Sequence, residues 1–253
     1  MQCALEAIWA RLYMEVDGAR FERRGDLVLA LYPPFPIPQC NGPWIVEDTQ
    51  SAVAAMAGAI AEVEAAGAWP WVQTRSGHVR TRRAAAELGL THSELVPGMV
   101  LQPGELVEPS GLAVEVDLIA TTEVDATNEI LATCFDAPKE LFDRFCGVCT
   151  AVDEASWYVA RVADEVVATA LGVTIDRVTG VFNVATAPEH RGRGYGAALT
   201  ARVVQDGLHG GAKLAFLQSS DIGHSVYRRL GFRDVEEYRL LTRPAPTETT
   251  PAG

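Results

Sequence analysis

The chain has 253 residues, 48% of them hydrophobic, and a formal net charge of −12. This is enough apolar material for one large or two modest cores, so disorder is not the default. The acidic balance argues against non-specific nucleic-acid binding and suits a cationic partner. The basic residues are nearly all Arg, with Lys only at 139 and 213. No charged segment followed by an apolar core opens the sequence, and no run is long and apolar enough to span a membrane, so the expectation is a cytoplasmic protein with no membrane partner.

In chain order, helical spacing runs from Gln2 to Val16 on Leu5, Ile8, Trp9, Leu12 and Tyr13. Strand patterns follow at 19–24, 26–31 and 43–46, the second stopped by Pro33-Pro34. An alanine-rich helix is expected from Ser51 to Ala66, capped by Thr49 or Ser51 and stopped at Gly67. A strand (69–74), a helix (78–88) and a strand (94–101) complete the first half. Gln102-Pro-Gly-Glu-Leu-Val-Glu-Pro-Ser-Gly111 is the best domain boundary.

The second half opens with a strand at 112–117. A helix runs from Thr122 to about Cys134, and Asp136-Ala-Pro138 breaks it before another at 140–149. Strands at 157–162, 166–174 and 181–186 come next, with a turn at 176–180. A helix at 197–208, a strand at 213–218, a helix carrying Tyr227 and a strand at 237–242 close the pattern. Pro244 to Gly253 reads as a disordered tail. Five cysteines at irregular spacing suit reduced thiols. Cys146-Gly-Val-Cys149 lacks the second pair that a zinc site requires, so no metal is expected.

The richest segment is Arg191-Gly-Arg-Gly-Tyr-Gly196 between the strand ending at Thr186 and the following helix. Its glycines remove Cβ atoms where the backbone must turn. The N–H groups opening a helix lack intrahelical partners and carry positive potential, which suits a phosphate or pyrophosphate. The spacing does not fit a dinucleotide fingerprint, and no Gly-Lys-Ser/Thr triplet makes a P-loop.

Arg191-x-x-Gly194-x-Gly196 after a strand, followed by Tyr227-Arg-Arg-Leu-Gly-Phe232, resembles the GCN5-related N-acetyltransferase (GNAT) superfamily over roughly the last 130 residues. The resemblance implies a mixed α/β (α+β) fold, acetyl-CoA as co-substrate and an amine as the usual acceptor; small amine, antibiotic, peptide N-terminus and protein lysine stay open, and the acidic balance tilts toward the primary amine of a cationic small molecule. It further implies that Arg191, Gly192, Arg193, Gly194, Tyr195, Gly196 and Ala197 contact the pyrophosphate. Val184 and Thr186 would contact the pantetheine arm in a gap between splayed strands. Tyr227 would be the general acid for the departing thiolate. The carboxylate that many members place on the central strand is missing: that strand offers only Asn183 and Thr186. Glu154, Asp136, Glu236 and Glu237 stand as alternative bases, and His224 either meets the donor or caps its helix. Phe142 and Phe145 line the acceptor pocket or belong to the core.

The first half repeats the order of the second. Trp71-Val-Gln-Thr74, Ala86-Glu-Leu-Gly-Leu90 and Met99-Val-Leu-Gln-Pro103 lie in the places of Phe216-Leu-Gln-Ser219, Arg229-Leu-Gly-Phe232 and Leu240-Leu-Thr-Arg-Pro244. It lacks the glycine loop: Glu47-Asp48-Thr49-Gln50 would put carboxylates at that helix start, and the counterpart of Tyr227 is near Ala85. The expectation is therefore two GNAT-like domains, each a mostly antiparallel twisted sheet flanked by helices. They are a degenerate one (1–105), a linker (106–111) and a catalytic one (112–243), followed by the tail (244–253). The degenerate half would complete the sheet edge, shape the acceptor pocket or mediate a homodimer. Two other functions stay open, a non-catalytic acyl-CoA sensor or scaffold and a transferase of longer acyl or aminoacyl groups.

Overall fold

The computed structural model describes residues 1–36, 38–109, 115–118 and 124–244. The start of the 112–117 strand, the start of the helix expected at Thr122 and the tail lie outside the described residues, apart from Pro244. In chain order the elements are α1 (Gln2–Tyr13), β1 (Arg20–Arg24), β2 (Leu27–Leu31), β3 (Gly42–Ile45), α2 (Gln50–Ala65), β4 (Trp71–Arg75), α3 (Val79–Glu87) and β5 (His92–Leu101). Then come β6 (Glu115–Leu118), α4 (Val124–Phe135), α5 (Lys139–Thr150), β7 (Ala155–Val162), β8 (Glu165–Ile175) and β9 (Val178–Thr186). The chain closes with α6 (Tyr195–His209), β10 (Leu214–Gln218), α7 (Asp221–Arg229) and β11 (Arg233–Thr242). Val178–Gly180, expected in a turn, belong to β9, because the hairpin needs only the left-handed Asp176 and Arg177 to reverse direction. β11 likewise starts at Arg233, directly after α7.

The fold has two compact units, and neither is contiguous in sequence. The larger comprises Met1–Ala19 and Val96–Glu237; the smaller comprises Arg20–Leu95 and the residues from Tyr238 on. Against the expected 1–105 and 112–243 division, α1 and the end of β5 lie in the unit that holds the glycine loop. The end of β11 lies in the other.

In the smaller unit, β1, β2 and β3 are antiparallel, β4 runs parallel to β3, and Tyr238–Thr242 pair antiparallel with β4. Leu27, Leu29 and Leu31 alternate onto one face and bury against Met56, Ile60 and Val63 of α2 and Ala85 of α3. Helix α2 starts where Thr49 accepts the Ala52 N–H at 3.2 Å, and Thr49 in turn donates to Asp26 at 2.8 Å.

The larger unit repeats this order around β7, β8 and β9, which are antiparallel, with β10 parallel to β9 and β6 pairing with β7. The strand after each second helix pairs elsewhere than its chain position suggests: β5 lies against β10, and β11 against β4. On one face of the larger sheet α6 buries Leu199, Val203 and Val204. On the other lie α1 and α5, joined by Trp9 and Phe145 at 6.5 Å. Residues 102–109 are held to α7: the Val107 N–H donates to the Leu230 carbonyl at 3.0 Å. Gly231, at φ +100°, lies so close to this segment that a Cβ there would come within 2.2 Å of the Glu105 carbonyl oxygen. The glycine of the Leu-Gly-Phe motif is thus required twice, by its left-handed backbone and by the close approach.

Candidate active site

The site begins with a fault in β9. Asn183 adopts φ +49°, and the β8 ladder passes from Leu171–Phe182 to Thr169–Ala185, so β9 carries one residue more than its partner. This is a β-bulge, and Asn tolerates the left-handed conformation it needs. The bulge changes which way the strand faces. Before it, a Cβ on Gly180 would meet Phe182 and Ile8 of α1; beyond it, Val184 and Thr186 face Gly196 of α6. Both predicted pantetheine residues therefore border the glycine loop.

The strands then part. The parallel ladder between β9 and β10 runs from Val178–Leu214 to Gly180–Phe216, and β10 continues to Gln218 paired with β5 on its far side. Beyond Gly180 the edge of β9 facing β10 is open for a ligand backbone. Phe182, Asn183 and Val184 are half-exposed although β9 lies between two other strands.

The glycine loop follows. Gly192 and Gly194 have φ of +75° and +87°, which only glycine adopts without strain. Gly194 is the N-cap of α6 and has no side chain to fill the helix end. The Ala198 N–H bonds to the Gly194 carbonyl at 3.0 Å, so the preceding N–H groups of Tyr195, Gly196 and Ala197 open the helix without i−4 partners. A Cβ on Gly196 would lie 3.4 Å from Val184. Glycine keeps the space between helix start and strand clear. These residues fit a pyrophosphate with its attached chain. Arg193 donates to the Glu189 carbonyl at 3.3 Å, and Tyr195 is buried with its ring 6.2 Å from His190.

Tyr227 is on α7, half-buried on the border of the same apolar cluster as Val184 and Ala197. Its ring lies back over the preceding turn, where a Cβ on Gly223 would be 3.3 Å from the hydroxyl, and meets Phe232 edge-on at 6.1 Å. Burial pushes its pKa up to about 12, so the phenol is protonated at neutral pH.

His224 does not cap the helix. Its Nε2 pairs with Asp234 at 2.7 Å, Asp234 also takes Arg228 at 2.9 Å, and the cap is Ser220, which accepts the Gly223 N–H. Among the alternative bases, Glu154 is paired with Arg11 at 3.2 Å and stands level with Thr174, at the hairpin end of β8 and β9. Asp136 is exposed at the left-handed end of α4, and Glu237 is exposed in β11. Phe142 and Phe145 are buried at 5% and 6% exposure. The bulge and the contribution of α1 had no local signal in the sequence.

The matching place in the smaller unit is filled from within. Thr49 caps α2, while Asp48 reaches α3, accepting the N–H groups of Arg80 and Thr81 at 3.0 and 2.8 Å. The carboxylate expected at the start of α2 thus occupies the start of α3. Its partial burial works against ionisation, but these bonds, the Thr81 hydroxyl and nearby His78 keep its pKa below the usual range.

Residues 124–232 match the Acetyltransferase (GNAT) family. No curated protein matches the sequence. Among solved structures, a GCN5-related N-acetyltransferase from Kribbella flavida superposes with a TM-score of 0.71 at 24% identity, over 95% of each chain. A functionally unknown conserved protein from Staphylococcus epidermidis gives 0.68 at 13% identity, over 90% of this chain and 95% of that one. A GCN5-related N-acetyltransferase from Sphaerobacter thermophilus gives 0.62 at 17%, over 90% and 84%. At such identities the common property is the fold. No helix among the described residues is long and apolar enough to cross a membrane. Over residues 124–232, therefore, the chain is similar to the acetyltransferases of the GNAT family, and along most of its length it has the fold of the GCN5-related N-acetyltransferase structures.

Proposed function

We propose that the larger unit transfers the acetyl group of acetyl-CoA to the primary amine of a small, cationic acceptor by direct attack in a ternary complex. The observation that carries this reading is the open start of α6 beside the parted end of β9. The pyrophosphate would lie on the N–H groups of residues 192–197, with Arg191 and Arg193 adding positive charge. The pantetheine arm would run past Val184 and Thr186. The amine nitrogen forms its bond to the acetyl carbon as the carbon–sulfur bond breaks. The leaving thiolate takes the Tyr227 proton, the amine's surplus proton goes to water, and the phenolate is reprotonated from solvent. With no carboxylate on β9 itself, the attacking amine would lose its first proton to bulk water. The smaller unit, whose helix starts are closed by Thr49 and Asp48, serves as a non-catalytic copy.

The missing carboxylate favours one second reading, a sensor that binds acyl-CoA without turnover. Calorimetry of acetyl-CoA on the wild type and on Gly194→Glu tests the donor site, because the substitution adds bulk and negative charge at a left-handed position. Binding lost only in the folded variant supports the site, and equal binding by both overturns it. Turnover over a broad amine panel then separates enzyme from sensor.

A further inference from the structure

Helix α1 belongs to the first half by sequence and to the larger unit by structure. Its apolar residues lie on the face of β9 opposite the glycine loop. Ile8 approaches Gly180, where the ladder with β10 ends, so closely that a Cβ on that glycine would come within 2.9 Å of Ile8 Cδ1. The Trp9 ring is 6.0 Å from Phe182 at a steep angle and 6.5 Å from Phe145 of α5, and Phe182 meets Phe216 of β10 at 5.9 Å. Phe145 and Phe216 are buried, whereas Trp9 and Phe182 are half-exposed, so their rings form both a packed base and an accessible edge. Register places Trp157 and Leu171 in the same row of the sheet as Phe182. Trp157 is 3% exposed, and its indole N–H has no hydrogen-bond partner among the described residues. A buried donor without a partner is costly in an apolar wall and useful where a ligand supplies the acceptor atom.

We infer that the acceptor is a primary amine carried on an aromatic or bulky apolar body, and that Trp9 and Phe182 form the wall receiving that body beside the parted β9. The inference rests on the donor reading above and deepens it. Aromatic edges and faces hold rings at centroid separations of this kind, and the same faces attract an ammonium before it is deprotonated. A strongly hydrated polyamine or amino sugar gains little from such a wall.

The test measures initial rates with acetyl-CoA on phenethylamine, tryptamine, spermidine and kanamycin, for the wild type, Trp9→Ala, Trp9→Phe and Phe182→Leu. Acetyl-CoA affinity of each is measured by calorimetry. The arylalkylamines are expected to exceed spermidine and kanamycin in kcat/KM by about tenfold or more. Trp9→Ala and Phe182→Leu should each remove about a tenfold advantage, through KM, and Trp9→Phe should restore most of it. Phe182→Leu keeps apolar volume, which guards against simple misfolding of Trp9→Ala. If the wild type binds acetyl-CoA yet prefers spermidine or kanamycin, or leaves arylalkylamines untouched, the inference is wrong and the donor site stands. Unchanged preference in folded variants also overturns it. If the wild type does not bind acetyl-CoA, the donor reading falls and this one with it.

Discussion

The Arg191 guanidinium turns back onto the strand it follows: its Nε donates to the Thr186 carbonyl at 3.2 Å. Its Nη2 lies 3.5 Å from Cys134 Sγ, and that thiol donates to the same carbonyl at 3.3 Å. Arg191 thus ties the glycine loop to the end of β9 and to α4. Replacing it with Ala should raise KM for acetyl-CoA about tenfold, equivalent to about 1.4 kcal/mol, with the main effect on KM. Cys134→Ser, which keeps a donor, should change KM less than Cys134→Val. Steady-state kinetics decide; a fall confined to kcat would assign Arg191 to the chemical step.

Tyr227 is expected to act only on chemistry. Tyr227→Phe keeps the packing against Phe232 and removes the proton, so kcat should fall about a hundredfold with acetyl-CoA affinity preserved. Burial holds this phenol at about 12. The wild-type rate should therefore rise as the amine deprotonates and show no alkaline decline up to about pH 10. A decline well below that, absent from Tyr227→Phe, would place the ionisation of Tyr227 lower than its burial implies.

Helix α6 is set by one close approach. A Cβ on Gly207 would come within 2.0 Å of the Thr179 hydroxyl, which is buried and 2.9 Å from that of Thr174. In an exposed helix Gly→Ala gains about 1 kcal/mol. Here overpacking wins, and Gly207→Ala should destabilise the fold by about 1–3 kcal/mol. Urea denaturation should show the loss, and adding Thr179→Ala should recover much of it.

Asp48 makes a pH-dependent contribution to the smaller unit. Its folded pKa is depressed, so its stabilising effect is present above the unfolded carboxylate value of about 3.9 and is lost as pH falls through the lower folded value. Asp48→Ala should cost about 1–2 kcal/mol at neutral pH by uncapping α3. Thermal melts of the two proteins should converge in strong acid. A constant gap would mean that packing, not the carboxylate, is responsible.

Much of the secondary structure and the whole glycine loop could be read locally. Thr49 as a cap, Gly67 as a stop and the alternation of Leu27, Leu29 and Leu31 depend on neighbours a few residues away, which is the range of helix and strand periodicity. The glycine loop is legible for the same reason: left-handed backbone and an open helix end are properties of the segment itself. The pairing of His224 was not legible because its partner, Asp234, is outside its helix, in β11. Asp48 was misplaced because carboxylates can reach either of two helix starts, and folding chose α3.

The sequence by itself determined the order of elements, the glycine turn at 191–197 and the absence of a comparable turn near Asp48. These follow from steric and hydrogen-bonding rules acting over a few residues. Only the tertiary structure decided that β5 and β11 pair with β10 and β4, and that one extra residue at Asn183 turns Val184 and Thr186 toward α6. It also brought Ile8 and Trp9 against Gly180 and Phe182. Those choices depend on burying surfaces far apart in the chain, and no local pattern carries the identity of the partner.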